Sequence, residues 1–435
     1  MRIALVLCTM LFITETLMGD ANDYKRPASY ETAYIYRTDT PDQDIKQFPR
    51  NIDALRTKDA ALYIRQTADY INKNSRNNFE RIKKAHDLVA LTIRYDAASF
   101  LSGRIPSQNY EDVLKSRLAV CEGYSNVFKR LCDELGIECE IVRGFGRGVG
   151  VSPFRNDTPA SSNHAWNLVK IEDAWYLVDC TWDSGYLNGR VFQAEYSTDY
   201  LFLKPEYFIY THFPGNPRQQ LISSPLSADA FSKLPFFKPK FFDSMTALNP
   251  AIQKINAVNS TFEFEFTLTT GFEVNFNVYD AVDGKRYSNR SFTQKEGDAY
   301  KTYLSFPNPG NYIVMCFWKR PGQNVSSSCG EFGVTSSKAS AVKYPEQYGN
   351  FGPETTILSP LEMPLAVGGT YNFKVRSDKK YIAVIYNKTF IQLQKNDEGI
   401  FSVETKIPSG VKTIMIGTSD SLNGSYKGII QYEVK

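Results

Sequence analysis

The sequence predicts an α+β protein, in which a first portion of mixed helices and strands is followed by two all-β sandwiches. Three observations predict it. Helical periodicity begins at Asp53, it stops after the proline-bearing stretch Leu234 to Lys240, and short strands of period two recur from there onward. A length of 435 residues allows about three domains. Hydrophobic residues at 42% against charged residues at 22% supply enough apolar material for packed cores, which excludes disorder, collagen and coiled coil as the main architecture. Lys plus Arg number 50 and Asp plus Glu 47, a net charge of +3 that is far from the basic stripe needed to bind phosphate backbones. No nucleic-acid partner is expected.

In chain order, Met1 and Arg2 precede an apolar run, Ile3 to Ile13, and the small residues Gly19 and Ala21 follow, the layout of a secretory leader. The expectation is a signal peptide over residues 1–19 and a secreted protein, extracellular or periplasmic. The run of 11 residues is too short to span a membrane, which takes about 20. Residues 20–50 are polar and turn-rich and read as an N-terminal extension crossing a surface. In the next unit, 51–243, Ala60, Tyr63, Ile64, Thr67, Ala68 and Ile71 form one helical face and Ile82, Ala85, Val89 and Ile93 another. Pro235 and Pro239 place a boundary near Asp243.

Beyond it, Thr261 to Leu268 and Glu273 to Tyr279 alternate with period two, and similar strands follow at Asn372 to Val375, Tyr381 to Tyr386, Phe401 to Ile407, Thr413 to Gly417 and Ile429 to Val434. This amount of short-strand sequence makes two immunoglobulin-like sandwich domains, 244–337 and 338–435. Tyr312 to Trp318 and Ser327 to Val334 read as a hairpin, with Cys316 and Cys329 symmetric about its turn. In an oxidising compartment a disulfide is expected there. Metal binding is a weak alternative for the cysteines, because the chain has three His, no Cys-x-x-Cys and no His-Glu-x-x-His. No cofactor motif is present.

The chemistry concentrates in 51–243. Cys121 opens a helix whose stripe is Tyr124, Val127, Phe128, Leu131, Cys132 and Leu135, with Gly136 as its stop. A thiol in a helix's first turn feels the positive end of the dipole, which favours thiolate. Leu118-Ala119-Val120 offers no side-chain cap, which leaves backbone N–H groups for a developing oxyanion. Downstream, Asn163 to Ile171 and Trp175 to Trp182 form a hairpin. If Glu172-Asp173 is a two-residue turn, His164 faces Thr181 and Asp179 lies one diagonal step away on the same face. Cys121 as nucleophile, His164 as base and Asp179 as orienting carboxylate then have the logic of an acyl-transfer triad.

Ala119-Val120-Cys121-Glu122-Gly123-Tyr124-Ser125, His164-Ala165-Trp166-Asn167 and Val178-Asp179-Cys180-Thr181-Trp182-Asp183 resemble the three core motifs of the transglutaminase-like superfamily. Tyr200 to Pro214 resembles the continuation in its kyphoscoliosis-peptidase and hillarin branch. The resemblance covers roughly residues 55–225 and implies a papain-like core with Cys121, His164 and Asp179 as the triad. It departs at Gln219, where Trp is expected.

The remaining features take plainer readings. His212 competes for the base role but has no carboxylate at hairpin spacing, so it reads as structural; His86, within a helix, reads as surface or satisfied. Gly144 to Gly150 lacks the Lys-Ser/Thr ending of a phosphate loop and reads as a mobile loop flanking the cleft as a lid. Trp166 and Trp182 read as core or as a shield for the thiol and imidazole. Gln108 and Tyr110 are candidates for the second oxyanion donor. Two functions follow: a cysteine enzyme that attacks protein amide or peptide bonds through a thioester, as peptidase or acyltransferase, and an idle scaffold whose β domains bind a cell-surface or matrix protein.

Overall fold

The structure, a computed structural model, describes residues 24–148, 150–422 and 424–435. The leader expected over 1–19 lies outside the described residues. Two helices, α1 (Ala60–Lys73) and α2 (Asn78–Thr92), begin the core. Each starts at a side-chain cap: Asp59 accepts the Leu62 N–H and Asn77 the Glu80 N–H. Tyr63, Ile64, Ala68 and Ile71 of α1 and Ile82, Ala85 and Val89 of α2 are buried, as their spacing predicts. They pack with α3 (Tyr110–Ser116) and α4 (Cys121–Glu134), whose stripe of Tyr124, Val127, Phe128, Leu131 and Cys132 is sealed among them. Gly136, at φ +71°, turns the chain out of α4 as predicted.

Behind α4 stands an antiparallel sheet of β1 (Cys139–Gly146), β2 (His164–Ile171), β3 (Ala174–Val178) and a later strand. After β3 come the short helix α5 (Cys180–Asp183), the hairpin β4 (Gly185–Asn188) and β5 (Val191–Ala194), and then β6 (His212–Pro214). The sheet order is β3-β2-β1-β6. Helices cover one face, with Val169, Ile171, Tyr176 and Val178. The other face gathers Val142, Trp166, Leu168, Trp175 and Leu177 under Tyr200, Leu203 and Phe208. A strand buried on both faces loses hydrophobic alternation, and β2 is buried almost throughout.

From Met245 onward the chain is β-rich. One pair of sheets shares a core in which Phe264 and Leu304 meet Phe276, Val314 and Phe332; a second pair joins Ile382, Ile416 and Ile430 to Phe373, Val375 and Phe401. The strands expected at Thr261 to Leu268 and Tyr381 to Tyr386 have those bounds. In the first pair, β7 (Gly310–Lys319) and β8 (Ser327–Ser336) form the expected hairpin. No helix among the described residues is long and apolar enough to cross a membrane.

From Leu234 to Lys240 no regular element is continuous: Phe236–Phe237 pairs with β8, Lys238 intervenes, and Pro239 starts a helix, Pro239–Ser244, at the position where its missing N–H costs nothing. Three expectations are corrected. The extension does not lie wholly on the surface: Tyr30, Ala33 and Ile45 enter the helical core within or beside two helices of four residues each, too short to show periodicity. Gly144 and Gly146 lie inside β1 rather than in a loop. Cys316 and Cys329 are thiols with sulfurs 3.2 Å apart, not the ~2.05 Å of a disulfide. A register shift puts Gly330, not Cys329, opposite Cys316.

Candidate active site

The hairpin has the predicted register. Ile171 pairs with Ala174, so Glu172-Asp173 is the two-residue turn, with Glu172 at φ +55°. His164, Trp166 and Leu168 therefore share a face with Trp175 and Leu177, and the next residue of that phase is Asp179. The strand ends one residue before it. Asp179 caps α5 instead, its Oδ1 accepting the N–H groups of Thr181 at 2.8 Å and Trp182 at 3.1 Å. Those bonds aim Oδ2 at the sheet, where His164 Nε2 donates to it at 2.6 Å. With Nε2 engaged, Nδ1 is the nitrogen left for Cys121, whose half-buried thiol lies close enough to influence the imidazole.

Burial opposes charge on His164, but the Asp179 carboxylate, its hydrogen bond and the Cys121 sulfur together raise the imidazole to about 10. Asp179 is fully buried, which disfavours its charge, yet His164 and His212 hold its carboxyl well below the ordinary carboxylate range. An imidazolium is thus held beside the sulfur throughout the neutral range.

His212 belongs to the same network. It is fully buried, its Nε2 lies 3.0 Å from Asp179 Oδ2, and its Nδ1 lies 2.8 Å from the Thr211 hydroxyl. Burial, with the His164 charge, lowers it to about 4 despite the carboxylate. It is therefore neutral near pH 7, donating from Nε2 and accepting from Thr211. His212 reaches Asp179 through the β1–β6 pairing, Gly146 opposite His212, and not through a hairpin. Only that long-range register brings it in, and nothing local in the sequence signals it. His164, Asp179 and His212 offer three donor atoms within 4.8 Å. Contacts of 2.6 and 3.0 Å are hydrogen bonds, because two ligands of one tetrahedral ion stand about 3.3 Å apart.

The glycines of β1 make room for this cluster. A Cβ on Gly146 would meet the His164 Cβ at 3.0 Å, and one on Gly144 would meet Phe213 O at 2.3 Å and Trp166 Cη2 at 2.7 Å. Their alternation is that of a strand lying against the imidazole, not of a phosphate loop. Gly123 does the same for α4, where a Cβ would come within 2.6 Å of Gln108 Oε1 and 2.7 Å of the Ala119 Cβ. Trp166 and Trp182 flank both imidazoles, with ring centroids 5.8 and 5.1 Å from His164 and 5.0 and 4.3 Å from His212.

The second acid of the Val178 to Asp183 segment, Asp183, plays a separate part. It accepts from His86 Nε2 at 3.0 Å, from the Ser197 hydroxyl and from the Tyr200 N–H, while His86 Nδ1 faces Asp87 at 3.0 Å. His86 is fully buried and satisfied, not a surface residue.

His164 and Trp182 open onto a cleft of about 970 Å³, walled by Tyr95, Phe100 and Phe192, by residues around Arg147 to Thr158, and by Trp318, Ser327 and Ser328 of the β7–β8 hairpin. The segment expected as a lid does line the cleft. It is held to the β-rich part: Asp157 bridges Arg147 and Lys254, and Gly333 of β8 gives Pro153 and Phe154 their seat.

Neither guess for the second oxyanion donor holds. Gln108 Oε1 accepts the Val120 N–H at 2.9 Å and its amide donates to Pro106 O at 3.0 Å, while Tyr110 packs against Arg130.

The sequence profile of the transglutaminase-like superfamily matches residues 65–180, the span that holds Cys121, His164 and Asp179. The chain carries a transglutaminase-like core. Mouse kyphoscoliosis peptidase is 26% identical over 329 residues, covering 72% of this chain and 48% of that protein. Drosophila hillarin is 30% identical over 133 residues, covering 28% of this chain and 16% of hillarin. The core thus falls in the branch its motifs implied, and the chain spans about half the length of the kyphoscoliosis peptidases it matches. A solved structure titled as a TGase aligns at 24% identity over 34% of this chain and 36% of its own, with a TM-score of 0.22.

Proposed function

We propose that the protein is a cysteine enzyme acting on protein amide or peptide bonds through a thioester. The observation that carries this reading is the 2.6 Å bond from His164 Nε2 to Asp179, which leaves the other imidazole nitrogen for the Cys121 thiol, close enough to act on the ring. The superfamily contains cysteine enzymes. In the proposed cycle the Cys121 sulfur adds to the carbonyl carbon as the C=O electron pair moves to oxygen. His164 then gives its proton to the leaving nitrogen, the C–N bond breaks, and a thioester remains. Asp179 stays ionised and keeps the ring oriented. Water as acceptor completes hydrolysis, and a lysine amine completes transfer.

In this reading 51–243 is the catalytic domain, and 244–337 and 338–435 are immunoglobulin-like domains that hold the protein substrate or anchor the enzyme. Residues 1–19 serve as an export signal. Iodoacetamide labelling across pH 4–9, with the modified residue located by mass spectrometry, tests the pair. Cys121 is expected to react at least about tenfold faster at pH 6 in the wild type than in His164→Ala. Equal rates would discard the triad and leave a binding scaffold as the better account.

A further inference from the structure

We propose that the Tyr95 hydroxyl is the second oxyanion donor, acting with the backbone N–H groups at the start of α4. This rests on the reading of Cys121 as nucleophile.

Geometry brings Tyr95 to the site. Arg94–Tyr95 is a two-residue strand pairing in parallel with Leu118–Ala119, with Tyr95 beside Ala119, two residues before Cys121. The Asp96 N–H donates to Ala119 O at 2.8 Å and fixes that register. The half-buried ring is braced by Phe100 and Phe192, with centroids 5.7 and 6.2 Å away, and lines the same cleft as His164. Among the described residues its hydroxyl has no hydrogen-bond partner, so its donor is available to a ligand in the cleft.

Chemistry fits the position. An oxyanion donor must keep its proton at every working pH and must sit where charge appears only in the transition state. Burial, followed by the nearby Cys121 sulfur and Asp179, raises the Tyr95 phenol above its ordinary value, so it remains O–H. Helix α4 has no side-chain cap, which leaves its leading N–H groups to form the other half of the hole. When the sulfur adds to a carbonyl carbon, the π electrons of C=O become a lone pair on oxygen, and that oxygen accepts from both donors. The oxyanion then collapses, re-forming C=O as the bond to the leaving group breaks.

Two probes separate this role from activation of the thiol. Iodoacetamide alkylates sulfur by direct displacement of iodide and forms no oxyanion. With p-nitrophenyl acetate, sulfur adds to the carbonyl, an oxyanion forms, and p-nitrophenolate leaves as the acetyl thioester is made. Tyr95→Phe keeps the ring and its packing. In this variant the first-order acetylation of Cys121 is expected to fall about 10²–10³-fold, the loss seen when one such donor is removed, while iodoacetamide labelling at pH 6 stays at the wild-type rate. The unchanged alkylation also certifies the fold. Acetylation at the wild-type rate would overturn the proposal, and so would an equal fall in both rates, which would make Tyr95 a support of the thiol. A wild type inert to both probes would instead remove the reading of Cys121 on which the proposal stands.

Discussion

Two buried histidine–carboxylate clusters lie a few residues apart in the core, and they are built in opposite proportions. At Asp179 one carboxylate serves two imidazoles, His164 and His212. At His86 one imidazole serves two carboxylates, Asp87 and Asp183, with Lys83 completing the set on Asp87. Their burial is similar, so exclusion of water does not distinguish them. What differs is the unspent valence. Every nitrogen of His86 is taken, whereas among the described residues only one nitrogen of His164 is engaged, Cys121 is near enough to act on its ring, and it borders the cleft. Burial opposes charge on His86, but Asp183 and Asp87 raise it, so its proton is locked between two fixed acceptors. The same residue types give a fastener in one place and a candidate base in the other.

Deleting the imidazole from each cluster is the strongest way to break that comparison. His86→Leu leaves Asp87 and Asp183 facing each other without the cation between them, and unpairing a buried charge costs about 3–5 kcal/mol. His164→Ala takes the imidazolium from buried Asp179 and leaves that carboxylate to the Thr181 and Trp182 N–H groups and the neutral His212, so its loss is expected to be of the same order, about 3–5 kcal/mol. Denaturant unfolding of both variants at pH 7 measures the two losses, and alkylation of Cys121 at pH 6 separates the clusters, because only His164→Ala should slow it. Equal slowing in His86→Leu would mean that the His86 cluster is no mere fastener.

The asymmetry also explains which parts were legible in the sequence. Cys121 at a helix start and the turn that phases His164 with Asp179 depend on local spacing, which periodicity and turn length reveal. His212 and His86 reach their carboxylates across 33 and 97 residues of sequence, through a β1–β6 pairing and a helix–helix contact that leave no local pattern. The β strands were legible where one face stays wet, as in Thr261–Leu268. The extension was not, because Tyr30 and Ala33 are buried from helices of a single turn.

His212→Gln sharpens the comparison by removing one of the two imidazoles that share Asp179. The neutral His212 of the folded state titrates at about 4 and the unfolded residue near 6.5, so the unfolded chain binds the extra proton between those values. Stability is therefore present above pH 6.5 and lost as pH falls toward 4, by on the order of 3 kcal/mol. His164, raised to about 10, acts in the opposite window: its contribution is full below pH 6.5 and is lost as pH rises through 10. Thermal unfolding at intervals from pH 4 to 7 should show a shallower acid slope in His212→Gln than in the wild type. Parallel slopes would mean that His212 is protonated in the native core.

The smallest effect, and the most local, comes from two glycines, Gly146 at the end of β1 and Gly148 two residues beyond it. A Cβ on Gly146 would press on the His164 ring, with Cγ and Cδ2 at 3.1 Å, whereas one on Gly148 meets only Trp182 Cζ2 at 3.6 Å, an ordinary contact. Gly146→Ala must displace the imidazole by a few tenths of an ångström while leaving the Asp179 carboxylate held by the N–H groups of α5. Misplacement on that scale costs less than the roughly 10²-fold that a full ångström does, so alkylation of Cys121 at pH 6 is expected to slow about three- to tenfold with little change in stability. Gly148→Ala should leave both unchanged. If the two alanine variants behave alike, the position of the His164 ring does not govern the reactivity of Cys121, and the difference drawn between the two clusters would have to rest on the cleft alone.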